Sequence, residues 1–168
     1  ASPGDPPRRQ QQAAAIRTDS VNDPAARPGP SLKARALRHL AAREHSRAEL
    51  AAKLARFVTE QDAPGAVERV LDELTAKGFI NEARVAESLL HRRAGGLGNA
   101  RVLHELRAKG VPQEVIEASA EQLRGTELAR AQAVWRKKFG QPPQDAADRA
   151  RQMRFLAARG FGGEVVRR

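Results

Sequence analysis

From Ser31 onward the apolar residues recur with the spacing of amphipathic helices, and no run alternates apolar with polar long enough to make a strand. Leu32, Ala36, Leu37 and Leu40 mark one buried stripe, with Lys33, Arg35 and Arg38 outside it. Ser46-Arg47-Ala48-Glu49 reads as a capping box opening a second helix, whose inner face is expected to carry Leu50, Leu54, Phe57 and Val58. Pro64 and Gly65 precede a third helix with its stripe at Val67, Val70, Leu71 and Leu74, ended by Gly78. The same logic predicts helices over 81–93, 99–109, 112–124, 127–139 and 146–159, and one beginning near 163.

A local pattern repeats along the chain. Glu73-Leu74-Thr75-Ala76-Lys77-Gly78-Phe79-Ile80-Asn81-Glu82 aligns with Glu105-Leu106-Arg107-Ala108-Lys109-Gly110-Val111-Pro112-Gln113-Glu114. Both align with Phe155-Leu156-Ala157-Ala158-Arg159-Gly160-Phe161-Gly162-Gly163-Glu164, and Leu40-Ala41-Ala42-Arg43 is a looser copy. The first three read as a helix closed by a cation and a left-handed Gly, then an acidic first turn at the next helix, and the looser copy leads into the Ser46 helix without the Gly. The expected fold is therefore all-α, about nine helices in three tandem three-helix modules, elongated because such modules stack on their neighbours. The expected modules are 31–79, 80–125 and 126–168.

Residues 1–30 differ in kind. Six of the ten prolines fall there without apolar periodicity, so a disordered tail is expected. The chain starts with Ala rather than Met, which points to a trimmed or re-engineered terminus.

Composition removes several chemistries. The absence of cysteine excludes disulfides, thiolate metal sites and cysteine nucleophiles. No apolar run approaches the roughly 20 residues that span a bilayer, and no secretory h-region opens the chain; a cytoplasmic protein without membrane association is expected. His39, His45, His91 and His104 form no His-x-x-x-His pair, so no metal is expected. Gly95-Gly96-Leu97-Gly98 lacks the strand and the Lys-Ser/Thr of a phosphate loop and reads as a flexible hinge. With no nucleophile elbow and no paired catalytic carboxylates, neither catalysis nor a cofactor is expected. The aromatic residues, Phe57 and Phe79 included, read as core rather than as a base-stacking platform.

Charge is what points outward. The net charge is +10, and residues 126–168 alone carry 10 Lys/Arg against 4 Asp/Glu. Such a balance favours a polyanionic partner, nucleic acid or an acidic protein surface. Arg136, Lys137 and Lys138 share one turn, Arg149, Arg151, Arg154 and Arg159 follow, and Arg92, Arg93 and Arg101 flank the Gly-rich segment.

Four segments in order carry a family resemblance: 43–54, 74–84, 98–111 and 155–161, within a match from about Leu32 to Arg168. The chain resembles the RecX regulators of the bacterial recombinase RecA. That resemblance implies a negative regulator, acting as a monomer, that binds in the groove of the RecA–DNA filament. It would block filament extension and so damp recombinase, ATPase and coprotease (SOS) activities. It also implies a last helix running on past Val165-Val166, so the third module is expected to lack some packing. Lys77, Arg84, Arg101, Arg107, Lys109 and Arg159 are carried over as candidate contacts to RecA or DNA. Of these, Lys77, Lys109 and Arg159 also stand where a cation complements a helix dipole. The alternative is a helix-turn-helix-type protein acting directly on duplex DNA through basic helices on phosphates; the capped Ser46 helix after a short turn resembles such a motif, although no Asn/Gln/Arg cluster marks a recognition helix.

Overall fold

The computed structural model describes residues 29–168; the tail expected over 1–30 lies, but for its last two residues, outside the described residues. Nine helices and no strand occur among the described residues. They are α1 (Leu32–Ala42), α2 (Arg47–Ala55), α3 (Ala66–Ala76), α4 (Glu82–Arg93), α5 (Asn99–Ala108), α6 (Gln113–Arg124), α7 (Glu127–Lys138), α8 (Ala146–Ala158) and α9 (Gly163–Arg167). The helices group in threes, each trio packing mainly within itself.

Each trio closes its own small core. Leu32, Ala36, Leu50, Leu54, Leu71, Leu74 and Ile80 fill the first, and Val85, Leu89, Val102, Leu106, Val111, Ile116 and Leu123 the second. The third buries only Ala131, Leu156 and Phe161, with Val134, Trp135, Phe155, Val165 and Val166 half-covered around them. The shortness of α9 explains the difference. It has 5 residues where α3 has 11 and α6 has 12, so it contributes fewer stripe positions.

Two expectations of burial fail. Phe57 and Val58 are 41% and 47% exposed because α2 ends at Ala55, leaving them beyond the helical stripe; the Phe57 ring instead lies 3.9 Å beneath the Arg35 guanidinium. Phe79 is 48% exposed, and Ile80 takes the anchoring role. The repeated Lys-Gly unit explains why. Gly110 and Gly160 turn from the second to the third helix of a module, whereas Gly78 joins the first trio to the second. The copies are alike in capping chemistry but not in their place in the module.

The modules meet through a joint that occurs twice. At the first, Gly110 sits so close to α2 that an added Cβ would lie 2.5 Å from the Ala48 Cβ, and the Ser46 hydroxyl donates to the Lys109 carbonyl. At the second, the Gly98 N–H donates to the Arg159 carbonyl at 2.9 Å and the Ala100 N–H to the Gly160 carbonyl at 3.2 Å. In both, the N-terminus of one module's middle helix abuts the C-terminus of the next module's middle helix. Carbonyls left free at one helix end thereby receive donors from the start of the other, the Ser46 hydroxyl at the first joint and backbone N–H groups at the second, and the two dipoles run head to tail. Gly98 is therefore a packing position rather than the hinge expected from its sequence, while a Cβ on Gly95 or Gly96 would meet nothing within 4 Å.

Candidate interaction surface

The expected contact cations divide into those that hold the scaffold and those that do not. At the junction of the first two modules, Arg84 donates to Glu44 at 2.9 Å and to the carbonyls of Gly78 and Phe79 at 2.9 and 3.2 Å. Its guanidinium thus satisfies carbonyls just past the C-terminus of α3. Lys109 pairs with Glu49 at 2.9 Å across the same junction, and Lys77 pairs with Glu73 at 2.6 Å. In the second module Glu105 takes both arms of Arg93, at 3.1 and 2.8 Å, and lies 3.9 Å from Arg101.

In the third module an aromatic pair organises the charge. Phe139 and Phe155 meet edge to face at 5.1 Å; Arg159 lies 4.0 Å and Lys138 5.9 Å from the Phe155 ring centre, and Arg151 5.6 Å from that of Phe139. Arg151 also pairs with Asp148 at 2.6 Å.

Six candidates remain uncommitted. Arg107, Arg136, Lys137, Arg149 and Arg154 are exposed and have no side-chain partner among the described residues; Arg92 bonds only the Ser88 carbonyl of its own helix, at 3.1 Å. Arg136 and Arg149 both line a cleft between α7, α8 and α9. Arg154 lies with Arg151 on a neighbouring cleft against Phe139. Lys77 and Arg84, at the far junction, line neither.

Several residues that matter most to this arrangement carry no sequence signal of that role. Arg130 reaches out of α7 to the carbonyls of Ala94 at 2.9 Å, Leu97 at 2.6 Å and Leu123 at 3.4 Å, and to the Asn99 side chain. One guanidinium therefore caps the C-termini of α4 and α6 together. Burial pulls its pKa below the ordinary arginine value, an effect the nearby Glu127 opposes. Glu127 accepts from the N–H of Asn99 at 2.9 Å and of Gly162 at 3.2 Å, and Glu82 accepts from the N–H of Arg47 at 2.8 Å. So the acidic first residue of each following module caps the middle helix of the module before it. As a first-turn acid each is visible in the sequence, but its partner 28 or 35 residues away is not.

Around the first junction the carboxylates diverge. Burial alone would raise the Glu49 carboxyl, but bonds from Arg43, Lys109 and the Ser46 N–H overcome it and hold the pKa down to about 2. Burial pushes Glu82 up, since only the Arg47 N–H bonds it and its second oxygen is unpartnered. His45 is buried, and that burial lowers its pKa despite a ring bond to the Arg43 carbonyl at 3.0 Å. No group of three or more His, Asp or Glu able to hold a metal ion occurs among the described residues, and no described helix is long and apolar enough to cross a membrane.

Residues 81–119 match the model of the second three-helix domain of RecX, and residues 126–168 that of the third. The regulatory protein RecX of Leptothrix cholodnii is 54% identical over 141 residues, covering 84% of this chain and 88% of that one. The chain belongs to the RecX family. The RecX of Herminiimonas arsenicoxydans is 49% identical, over 81% of this chain and 88% of its own. A crystal structure of a regulatory protein RecX superposes with a TM-score of 0.62 over 80% of this chain and 68% of that one; at 20% identity this speaks to the fold. RecX membership and the tandem three-helix architecture thus agree with the resemblance read from the sequence.

Proposed function

We propose that this RecX-family chain is a negative modulator of the recombinase RecA: it lies in the groove of the RecA–DNA filament, blocks extension, and thereby lowers recombinase, ATPase and coprotease activity. The observation that carries the reading is the sorting of its cations. A chain of modules fastened by a repeated joint presents Arg92, Arg107, Arg136, Lys137, Arg149 and Arg154 without acidic partners among the described residues. Cations spread over the second and third modules suit a partner that is itself a polymer, where separate weak contacts combine through effective concentration. The family's name as a regulator supports the same assignment.

The helix-turn-helix alternative is less well supported by the geometry. A reading helix of that type puts its N-terminal residues into the major groove. Here the N-terminus of α2 is covered by Lys109 and Gly110, with Ser46 fully buried, and that of α5 by Arg159 and Gly160. The test adds stoichiometric protein to RecA on single-stranded DNA. DNA-dependent ATP hydrolysis and strand exchange should both fall, and unchanged rates would refute the proposal. Tight, sequence-selective duplex binding without RecA at physiological salt would favour the alternative.

A further inference from the structure

The two joints are fastened by different chemistry. Each buried core belongs to one trio of helices, so what holds one module to the next is polar. Side chains make the bonds of the first joint. Arg84 donates to Glu44 and Lys109 to Glu49, both at 2.9 Å, Glu82 accepts from the Arg47 N–H at 2.8 Å, and the Ser46 hydroxyl donates to the Lys109 carbonyl. No backbone–backbone bond joins residues 31–79 to residues 82–124. Arg84 and Glu44 keep 43% and 31% of their side-chain surface exposed, so that pair is held in water; Lys109 and Glu49 are better covered, at 23% and 16%. Backbone and a half-buried guanidinium make the second joint instead. The N–H groups of Gly98 and Ala100 donate to the carbonyls of Arg159 and Gly160, and Arg130 donates to those of Ala94, Leu97 and Leu123. Among the described residues no ion pair links 82–124 to 126–168.

We propose that the chain moves as two bodies: the first module swings on a charge-held hinge against a rigid block of the second and third modules, locked by Arg130. Exposed ion pairs weaken as the Debye length falls from about 10 Å at about 0.1 M salt to about 3 Å at about 1 M, whereas partly buried bonds are screened far less. Arg84 is the latch of the hinge. Its guanidinium also bonds the carbonyls of Gly78 and Phe79, at 2.9 and 3.2 Å, and so ties the link between the modules to α4. A Cβ on Gly78 would meet nothing within 4 Å, so no neighbour wedges the link in place. The uncommitted candidates Arg92, Arg107, Arg136, Lys137, Arg149 and Arg154 all stand on the rigid block and keep their spacing while the first module adjusts. The hinge is a property of the free chain and stands apart from the regulatory reading.

The chain has no cysteine, so spin labels attach only where cysteines are introduced. Ala52 in α2, Ala118 in α6 and Ala147 in α8 are exposed. The full chain is labelled as Ala52→Cys/Ala118→Cys across the first joint and as Ala118→Cys/Ala147→Cys across the second. Distance distributions are read by double electron–electron resonance at about 0.1 M and about 1 M potassium chloride. The first distribution should broaden about twofold or more at high salt, and the second should keep its width. Glu44→Gln/Lys109→Gln should give the first joint that same breadth at low salt. Arg130→Met should broaden the second joint and leave the first unchanged. Far-ultraviolet circular dichroism should stay constant throughout, as expected for movement between folded modules.

A first-joint distribution that salt leaves unchanged overturns the proposal. So does equal broadening at both joints, which would make the whole chain uniformly flexible, or broadening accompanied by lost helicity, which would make it unfolding. A second joint that stays narrow in a folded Arg130→Met chain removes the lock. Should Arg130→Met cost helicity, the salt comparison on the parent chain decides between one hinge and two.

Discussion

A Cβ placed on Gly98 would fall 2.1 Å from the carbonyl carbon of Gly160 and the amide nitrogen of Phe161, both backbone atoms that cannot move aside singly. Gly98→Ala should therefore separate the second and third modules at their joint, costing about 2–4 kcal/mol in urea unfolding. Gly96→Ala, only two residues away in open space, should stay within about 1 kcal/mol of the parent. Glu49 is a second point of control. Its folded pKa, about 2, lies below the ordinary value of 4.5, so its stabilisation is present above the unfolded pKa and is lost as pH falls through the folded one. Glu49→Gln should destabilise the chain by about 1–2 kcal/mol at pH 7, a figure kept small because its partners Arg43 and Lys109 are partly solvated. The gap between parent and variant should close as urea melts are repeated from pH 5 down to pH 2.

At the scale of helices, capping and periodicity were legible from the residues alone. Ser46 with Glu49 forms the expected capping box, and Gly78, Gly110 and Gly160 all adopt positive φ. What eluded the sequence was which ends meet. Lys109 and Arg159 read as dipole partners of their own helices, yet their carbonyls receive bonds from the start of a helix one module away. Phe57 and Phe79 counted as core because apolar residues at helix ends are ambiguous until the helix end is known. Arg130 is the sharpest omission, since a single arginine at helical spacing looks like any solvated one. Arg130→Met keeps an unbranched apolar stem but removes the guanidinium and orphans the carbonyls of Ala94 and Leu97. We expect a loss of about 2–4 kcal/mol and faster amide exchange at the α4–α5 connection, read by hydrogen–deuterium exchange.

Across the whole molecule, the sequence located the basic excess but could not sort it, because pairing depends on carboxylates that folding brings from elsewhere. Glu44, Glu49 and Glu105 neutralise Arg84, Lys109 and Arg93 locally, whereas no carboxylate among the described residues folds back onto Arg136, Lys137 or Arg149. Two kinds of variant should therefore behave differently. Arg136→Glu/Lys137→Glu should leave the thermal midpoint nearly unchanged and weaken inhibition of RecA about tenfold or more. Arg84→Ala should chiefly lower the midpoint, because it uncaps the end of α3 and severs the bond to Glu44.

Filament growth itself offers the most direct measurement. Fluorescent RecA is followed as it extends along single long DNA molecules, and the chain is added once growth is steady. The account predicts that extension stops at stoichiometric or lower amounts of the chain, and that Arg136→Glu/Lys137→Glu restores it. Extension continuing at its former rate in the presence of the wild-type chain would contradict it.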